Sequence, residues 1–423
     1  MQKFYVHISK LYFEERVVMH MNNKIVIIGG GIAAVNAIKS IREHDTKSEI
    51  NLIQNESFYP YYRIRLTKII FDTVDINQII LQKKEWYEQN NIKLYIGKEV
   101  VNVDVQAQQI TLDDGTNLDY NTLLLANGSI NFVPTIEGIN KDNVYSIRGF
   151  KDILNIRANT SDKSSILCIG GGVQNLEAAW AMCSIGKKVI IAEFMDRLMP
   201  RQLDSKGSAI LKKAVENCDA KILLATEITK ITGDDEVSGA LTKDGLSVDC
   251  DMVIYSVGIR SNVGLYKNTP IKINRGVVVD EHMRTSEDNI YAAGDVAEFG
   301  PYSGLWTIAM EQGRIAGQNI AGNELSFKGV VPVTNMNAFN ISVFSIGDID
   351  EKSFSHTLVE TSADDKIYKR IFIKDSIIIG AIVIGENKDN NIIKKFVDNH
   401  TVIDNINFDD ISISELISHI RSL

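Results

Sequence analysis

The sequence predicts an α/β protein: two parallel-sheet units, each built from strand, glycine turn and helix, followed by a small α+β domain. Three observations carry this. The aliphatic run Ile25-Val26-Ile27-Ile28 enters Gly29-Gly30-Gly31, and Ile166-Leu167-Cys168-Ile169 enters Gly170-Gly171-Gly172 in the same way. Uninterrupted apolar strands are those buried on both faces, as in a parallel sheet covered by helices. Near the end of the chain the pattern changes to a hairpin, residues 368–373 and 377–384 around Lys374-Asp375-Ser376, with amphipathic helices over 391–397 and 411–420.

The first glycine turn continues into a helix, because Val35, Ile38 and Ile41 recur at helical spacing. The pattern G-x-G-x-x-A has a mechanical meaning. Gly29 permits the tight turn, Gly31 lets the backbone approach a pyrophosphate, and Ala34 is small enough for helix to pack on strand. The helix start then offers free amides to phosphate. The second turn repeats the plan with Gly170 and Gly172, but Asn175 stands where the third small residue is expected. Its following strand, Lys188-Val189-Ile190-Ile191-Ala192, ends in Glu193, about twenty residues after the glycines, where a carboxylate accepts from a ribose 2′-hydroxyl. That favours NAD over NADP, while Arg197 close by pulls the other way. One such turn is a weak signal; two, each with its second strand, are a strong one. Two further strand ends carry small-residue turns: Leu123-Leu124-Leu125 into Ala126-Asn127-Gly128, and Ile290-Tyr291-Ala292-Ala293 into Gly294-Asp295. An aspartate there reaches a hydroxylated linker such as ribityl, or serves as a turn or helix cap.

Composition narrows the function. The chain has 423 residues, 44% hydrophobic and 23% charged, with a net charge of -9. That is ordinary for a globular protein and disfavours a general nucleic-acid binder. No apolar run reaches the roughly 18 residues of a membrane span. Four cysteines without a C-x-x-C exclude a disulfide framework, a zinc ribbon and a thioredoxin-like dithiol, and no metal motif is present. Cysteine usage reads as a reducing, cytoplasmic location. Residues 1–20 have neither the apolar core nor the cleavage site of a signal peptide; they read as an upstream start, a disordered arm or a short segment packing on the first domain.

At these turns the chain resembles the FAD- and NAD(P)H-dependent pyridine nucleotide–disulfide oxidoreductase superfamily, with its two Rossmann-like domains of glutathione-reductase type. The resemblance implies that Gly29, Gly31 and Ala34 hold FAD and that Gly170, Gly172, Glu193 and Gly258 hold NADH. It marks Ala126-Asn127-Gly128 as the crossing between domains, with Asn127 in place of the usual Thr, and puts Asp295 after Gly294 on the flavin ribityl. A narrower likeness lies in Pro60-Tyr61-Tyr62-Arg63-Ile64-Arg65-Leu66-Thr67-Lys68, which is similar to a segment of the ferredoxin- and rubredoxin-reductase branch, clostridial type included. It implies FAD contacts for Arg63 and Lys68. Pro200-Arg201-Gln202-Leu203-Asp204 resembles the nitrite-reductase and rubredoxin-reductase group. Glu56 is expected on the adenosine ribose, though it comes late after its strand, and Gln54 or a water is the alternative. The domains implied are an FAD domain over 21–135 and 260–325, an NAD domain over 136–259, and the α+β domain over 326–423.

Residues 21–160 hold no cysteine, and no His-x-x-x-x-Glu pair lies near the end of the chain, so thiol chemistry is not expected. Flavin redox chemistry remains, with electrons from NADH leaving singly to an iron carrier such as rubredoxin or a ferredoxin. The resemblance implies that Lys68 and Glu177 meet near the flavin N5 and the nicotinamide and tune them; either residue is otherwise a solvated charge. A helix beginning near Trp306 is implied to point at the flavin pyrimidine, with Trp306 beside the ring or simply in the core. An acidic carrier needs a basic docking face, for which Lys83-Lys84, Arg63-Arg65 and Lys366 with Lys369-Arg370 are candidates. The alternatives are an NADH oxidase and a flavin- and NAD-binding redox-sensing interaction protein. The oligomeric state is not legible.

Overall fold

The computed structural model describes residues 23–72, 74–300, 304–404 and 406–422. The 1–20 extension lies outside them. Among the described residues the helices of eleven residues or more are, in chain order, α1 (Ile32–Arg42), α2 (Phe150–Thr160), α3 (Val173–Ser184), α4 (Ser205–Glu216) and α5 (Trp306–Ile320). The chain divides into two compact units.

The first unit takes its described residues from 23–64, 74–130 and 259–330. Its parallel sheet has the strand order Ile290–Ala292, Thr122–Leu125, Lys24–Ile28, Glu49–Gln54, Ile92–Ile96. The central strand is buried on both faces: Ile25, Val26 and Ile27 are wholly inaccessible, as their unbroken aliphatic run requires. Helices α1 and α5 lie backbone to backbone. A Cβ on Gly313 would stand 2.2 Å from the Ala33 carbonyl oxygen, and one on Gly317 2.3 Å from that of Ala37. Small residues on both helices allow this approach, and it sets Gly313, near the middle of α5, beside the start of α1 at the first glycine turn.

The second unit contains the described residues of 65–73, 131–258 and 331–423. Its parallel sheet runs Lys221–Leu223, Lys188–Ala192, Ser165–Ile169, Met252–Tyr255, Val144–Ser146. The chain end forms an antiparallel sheet in the order Val333–Ala338, Ile341–Gly347, Ile377–Ile384, Tyr368–Lys374, His356–Thr361. Helices Asn390–Asn399 and Ile413–Ser422 cover it through Ile393, Phe396, Leu416 and Ile420. The hairpin expected around residues 374–376 closes on Asp375 and Ser376, both left-handed (φ 50° and 60°), the primed turn that suits twisted strands. A second such turn places Phe339 (φ 53°) and Asn340 (φ 56°) between strands. A bulky residue resists that conformation; here Phe339 is buried against Trp180 of α3, ring centroids 5.4 Å apart.

The Pro200–Asp204 motif finds its place in this unit. Asp204 caps α4 by accepting from the Gly207 amide (2.8 Å), and its other oxygen accepts from the Tyr368 hydroxyl (2.5 Å) and the Arg370 guanidinium (2.8 Å). One carboxylate thus joins the start of α4 to the terminal sheet. The same contact corrects one expected docking patch. Arg370 is committed to Asp204 and Glu351, and Lys369 is buried among Glu360, Glu386 and Asp389, so only Lys366 of that group faces solvent, paired with Asp364. A charge already paired with carboxylates of its own chain has little field left for a partner.

Candidate active site

In the first unit Gly29 adopts φ +103°, and a Cβ there would meet the Ala126 carbonyl oxygen at 2.4 Å, so only glycine fits. Over Gly31 nothing lies within 4 Å of such an atom. Gly31 caps α1 without a side-chain bond, and the first turn of α1 has no acidic residue. The helix start therefore presents free amides and partial positive charge to open space. Ala34 is wholly buried against the strand. Gly128 (φ +69°) ends the Ala126-Asn127-Gly128 turn. Asn127 accepts from the Tyr266 hydroxyl (2.7 Å) and donates to the Asn262 carbonyl (2.8 Å), which gives the departure from Thr a structural use. Burial pushes the Tyr266 phenol far up, so its proton stays to be donated.

Gly294 (φ +80°) donates its amide to Gln312 of α5 (2.9 Å) and sets Asp295, half-buried, where Ser129 donates to its carboxylate (2.7 Å). Helix α5 also begins without a side-chain cap or an acid in its first turn. Trp306 at that start is half-buried and stacks on Tyr62, centroids 5.8 Å apart at 29°. Glu56 takes the Tyr61 hydroxyl (2.6 Å) on one oxygen and Arg63 (2.5 Å) on the other, and the Arg63 guanidinium lies over the Tyr61 ring. This salt bridge also removes Arg63 from the candidate docking faces. The position opposite the glycines at the strand end is Gln54. It is buried, its amide donates to the Phe58 carbonyl (2.6 Å), and its Oε1 has no partner.

The second unit repeats the turn. Gly170 has φ +108°, with the Ser256 carbonyl oxygen 2.4 Å from where a Cβ would be, and the space over Gly172 and over Gly258 (φ +113°) is open. Helix α3 again starts uncapped and without an acid in its first turn. Glu193 is buried and turned inward: one oxygen accepts from the Gly171 amide, the other from the Met195 amide (2.7 Å). Arg197 pairs with Asp196 at 3.1 Å. Asn175 fills the place of the third small residue by donating to the Gly170 carbonyl (2.7 Å), which leaves its Oδ1 buried without a partner.

Lys68 and Glu177 come together in this unit, with Nζ 3.9 Å from the carboxylate; the lysine is half exposed and the glutamate buried. Thr67, which the sequence reading passed over, donates its hydroxyl to the other oxygen at 2.5 Å. Burial raises the Glu177 carboxyl above its ordinary pKa, and Thr67 and Lys68 only partly offset that. The cysteines are held as thiols: burial pushes Cys183 up to about 11 and Cys250 to about 12, and raises Cys168 and Cys218 as well.

The residues fit a dinucleotide at each turn. Both have glycine where any Cβ would collide, open space over the next glycine but one, and an uncapped helix start with no acidic residue in its first turn. The unpartnered Gln54 acceptor suits a hydroxyl donor in the first. Two such sites in one chain define a flavoprotein oxidoreductase that uses a nicotinamide cofactor. The chain belongs to the pyridine nucleotide-disulphide oxidoreductase family, whose sequence profile matches residues 23–313. A second profile, the rubredoxin NAD+ reductase C-terminal domain, matches residues 332–401.

Among curated proteins the chain is 32% identical to an NADH-rubredoxin oxidoreductase of Clostridium acetobutylicum, over 93% of this chain and 100% of that one. It is 33% identical to a nitrite reductase [NAD(P)H] of Bacillus subtilis over 87% of its own length, but spans only 46% of that protein. Among solved structures, NADH:rubredoxin oxidoreductase from Clostridium acetobutylicum superposes with a TM-score of 0.75 at 31% identity, covering 94% of this chain and 99% of that one. A ferredoxin reductase from Rhodopseudomonas palustris, at 22% identity and a TM-score of 0.84 over 90% and 96% of the chains, shares the fold. Among the described residues no helix is long and apolar enough to cross a membrane.

Proposed function

We propose that this protein oxidises NADH and passes the electrons to a small iron carrier of the rubredoxin class. The observation that carries this is the full-length likeness to the clostridial NADH-rubredoxin oxidoreductase, joined to a terminal domain of the rubredoxin reductase type. Bound FAD supplies the step between a two-electron donor and a one-electron acceptor. Gly29, Gly31, Ala34, Ala126 and Gly128 would cradle it, Asp295 would hold its ribityl chain, and the Tyr61–Arg63–Glu56 cluster and Trp306 would border it. Gln54, rather than the doubly engaged Glu56, is suited to the adenosine ribose. Gly170, Gly172 and Gly258 would approach NADH, and Glu193 would exclude a 2′-phosphate by its charge.

Lys68 and Glu177 are the residues proposed to act at the nicotinamide. Glu177 engages Lys68 by charge and Thr67 by hydrogen bond, which restricts the positions the half-exposed cation takes. A cytoplasmic location and an iron–sulfur or rubredoxin partner go with this reading. The test is steady-state turnover with purified rubredoxin and with ferredoxin. Reduction of rubredoxin well above the rate of oxygen uptake is expected; reduction of neither carrier above that background overturns the proposal. A second reading, direct oxygen reduction, is favoured by 32% identity to an NADH oxidase of Methanocaldococcus jannaschii, over 79% of this chain and 78% of that one. Oxygen uptake that no carrier suppresses would select it.

A further inference from the structure

Residues 65–72 stand in sequence among the first unit's segments but pack in the second. The segment buries Leu66, Ile69 and Ile70 and turns through the short 3-10 helix Thr67–Ile69, which carries Thr67 and Lys68 toward Glu177. So short a helix has no ladder to take up its last carbonyls. Arg157 takes them. Its Nε donates to the carbonyl of Ile70, and its Nη2 to those of Ile69 and Asp72, the last at 2.6 Å. A cation at the carbonyl end of a helical turn is well placed electrostatically, and a planar guanidinium holds its donors in a fixed fork that spans acceptors set apart along the chain.

Arg157 is itself firmly mounted. It lies on α2, whose Ile153 and Ile156 are wholly buried, and whose start is fixed by Asp152 accepting from the Arg148 and Gly149 amides (2.7 and 2.8 Å). The segment is thus gripped at two ends, by Glu177 of α3 at Thr67 and Lys68, and by Arg157 of α2 at residues 69–72. We propose that Arg157 is a positioning residue: it ties the 65–72 segment down so that Lys68 and Thr67 stay on the Glu177 carboxylate. The functional half of this rests on the reading of Lys68 and Glu177 given above.

The experiment uses the FAD-loaded protein and the variants Arg157→Met, Arg157→Lys, Lys68→Met and Glu177→Gln. Amide hydrogen exchange over 65–72 reports the anchor without any turnover. Arg157→Met should speed that exchange roughly tenfold or more. Stopped flow at saturating NADH should show flavin reduction slowed roughly tenfold, with the KM for NADH within about twofold, the mark of a group acting in the step rather than in binding. Arg157→Lys should fall between in both. Wild-type exchange in both Arg157 variants overturns the anchor. Faster exchange with unchanged reduction overturns the positioning role. Wild-type reduction in Lys68→Met overturns the reading of the pair, and does so whatever the exchange shows.

Discussion

The two glycine turns are cut to one backbone pattern and finished with different chemistry. In each, the first glycine amide donates to the end of the neighbouring strand at the same distance, Gly29 to Ile53 and Gly170 to Ala192, both 2.8 Å. The residue that follows the last register pair is Gln54 in one and Glu193 in the other. The glutamate spends a full charge on two backbone amides; the glutamine donates once and leaves an acceptor bare. Counting from the glycines, Ala34 corresponds to Asn175 and Asn36 to Glu177. On the cofactor assignment proposed above, the difference follows what each turn must reject. A nicotinamide site has to distinguish NADH from its 2′-phosphorylated twin, and a fixed negative charge does so by repulsion. FAD has no such twin, so a neutral amide suffices.

The comparison can be broken most severely at the glycines. Gly29→Ala should destabilise the first unit by roughly 2–5 kcal/mol, from strain plus collision with the Ala126 carbonyl, and yield protein without flavin. Gly170→Ala should cost a similar amount in the second unit and abolish NADH binding with flavin retained. Flavin absorbance and denaturant midpoints check both, and loss of both ligands in either variant would deny the turns their separate roles. Glu193→Gln should weaken NADH by about tenfold to a hundredfold, because charge-assisted bonds worth roughly 1.5–3 kcal/mol no longer hold the Gly171 and Met195 amides of the turn in place, and it should narrow the preference over NADPH. Gln54→Glu makes the first turn imitate the second, but sets a carboxylate against the Phe58 carbonyl. A loss of roughly 1–3 kcal/mol in FAD binding is expected by fluorescence titration.

Smaller effects test the helices behind the turns. Because the folded protein raises the Glu177 pKa, it holds that proton more tightly than the unfolded chain does. Stability from this group is therefore greatest in acid and falls as pH rises from the ordinary carboxylate range through the raised value. Glu177→Gln lacks this slope, so its urea midpoint should exceed the wild type's at about pH 8 and converge on it at about pH 4. Asn175→Ala, which copies Ala34, removes an orphaned acceptor along with one bond and should change stability by less than about 1 kcal/mol.

What was legible in the sequence was what the backbone forces. A collision at Gly29 or Gly170 leaves one residue type possible, so the turn shows as a string of letters. Lys68 and Glu177 drew notice through resemblance to a family. Thr67, Ser129 and Arg157 did not, because their partners lie 110, 166 and 85 residues away and no local period marks a side chain that bonds across a fold. Lysines misled for a related reason. Lys369 reads as a surface charge beside Arg370, yet its three carboxylates arrive from the preceding strand and from the turn before a terminal helix. Gln54 was named only as a stand-in for Glu56; nothing in the order of residues says that Tyr61 and Arg63 would claim both oxygens of that acid.

The 65–72 segment bears on how such enzymes can diverge. It is encoded between stretches of the first unit but folds with the second. A gene exchange that transplanted residues 131–258 between two relatives would carry Glu177 and Arg157 and leave Thr67 and Lys68 behind. The hybrid would have to match a foreign strap to its own carboxylate. Natural chimaeras should therefore be rarer at this boundary than loop lengths alone suggest, and substitutions at 67, 68, 157 and 177 should change together.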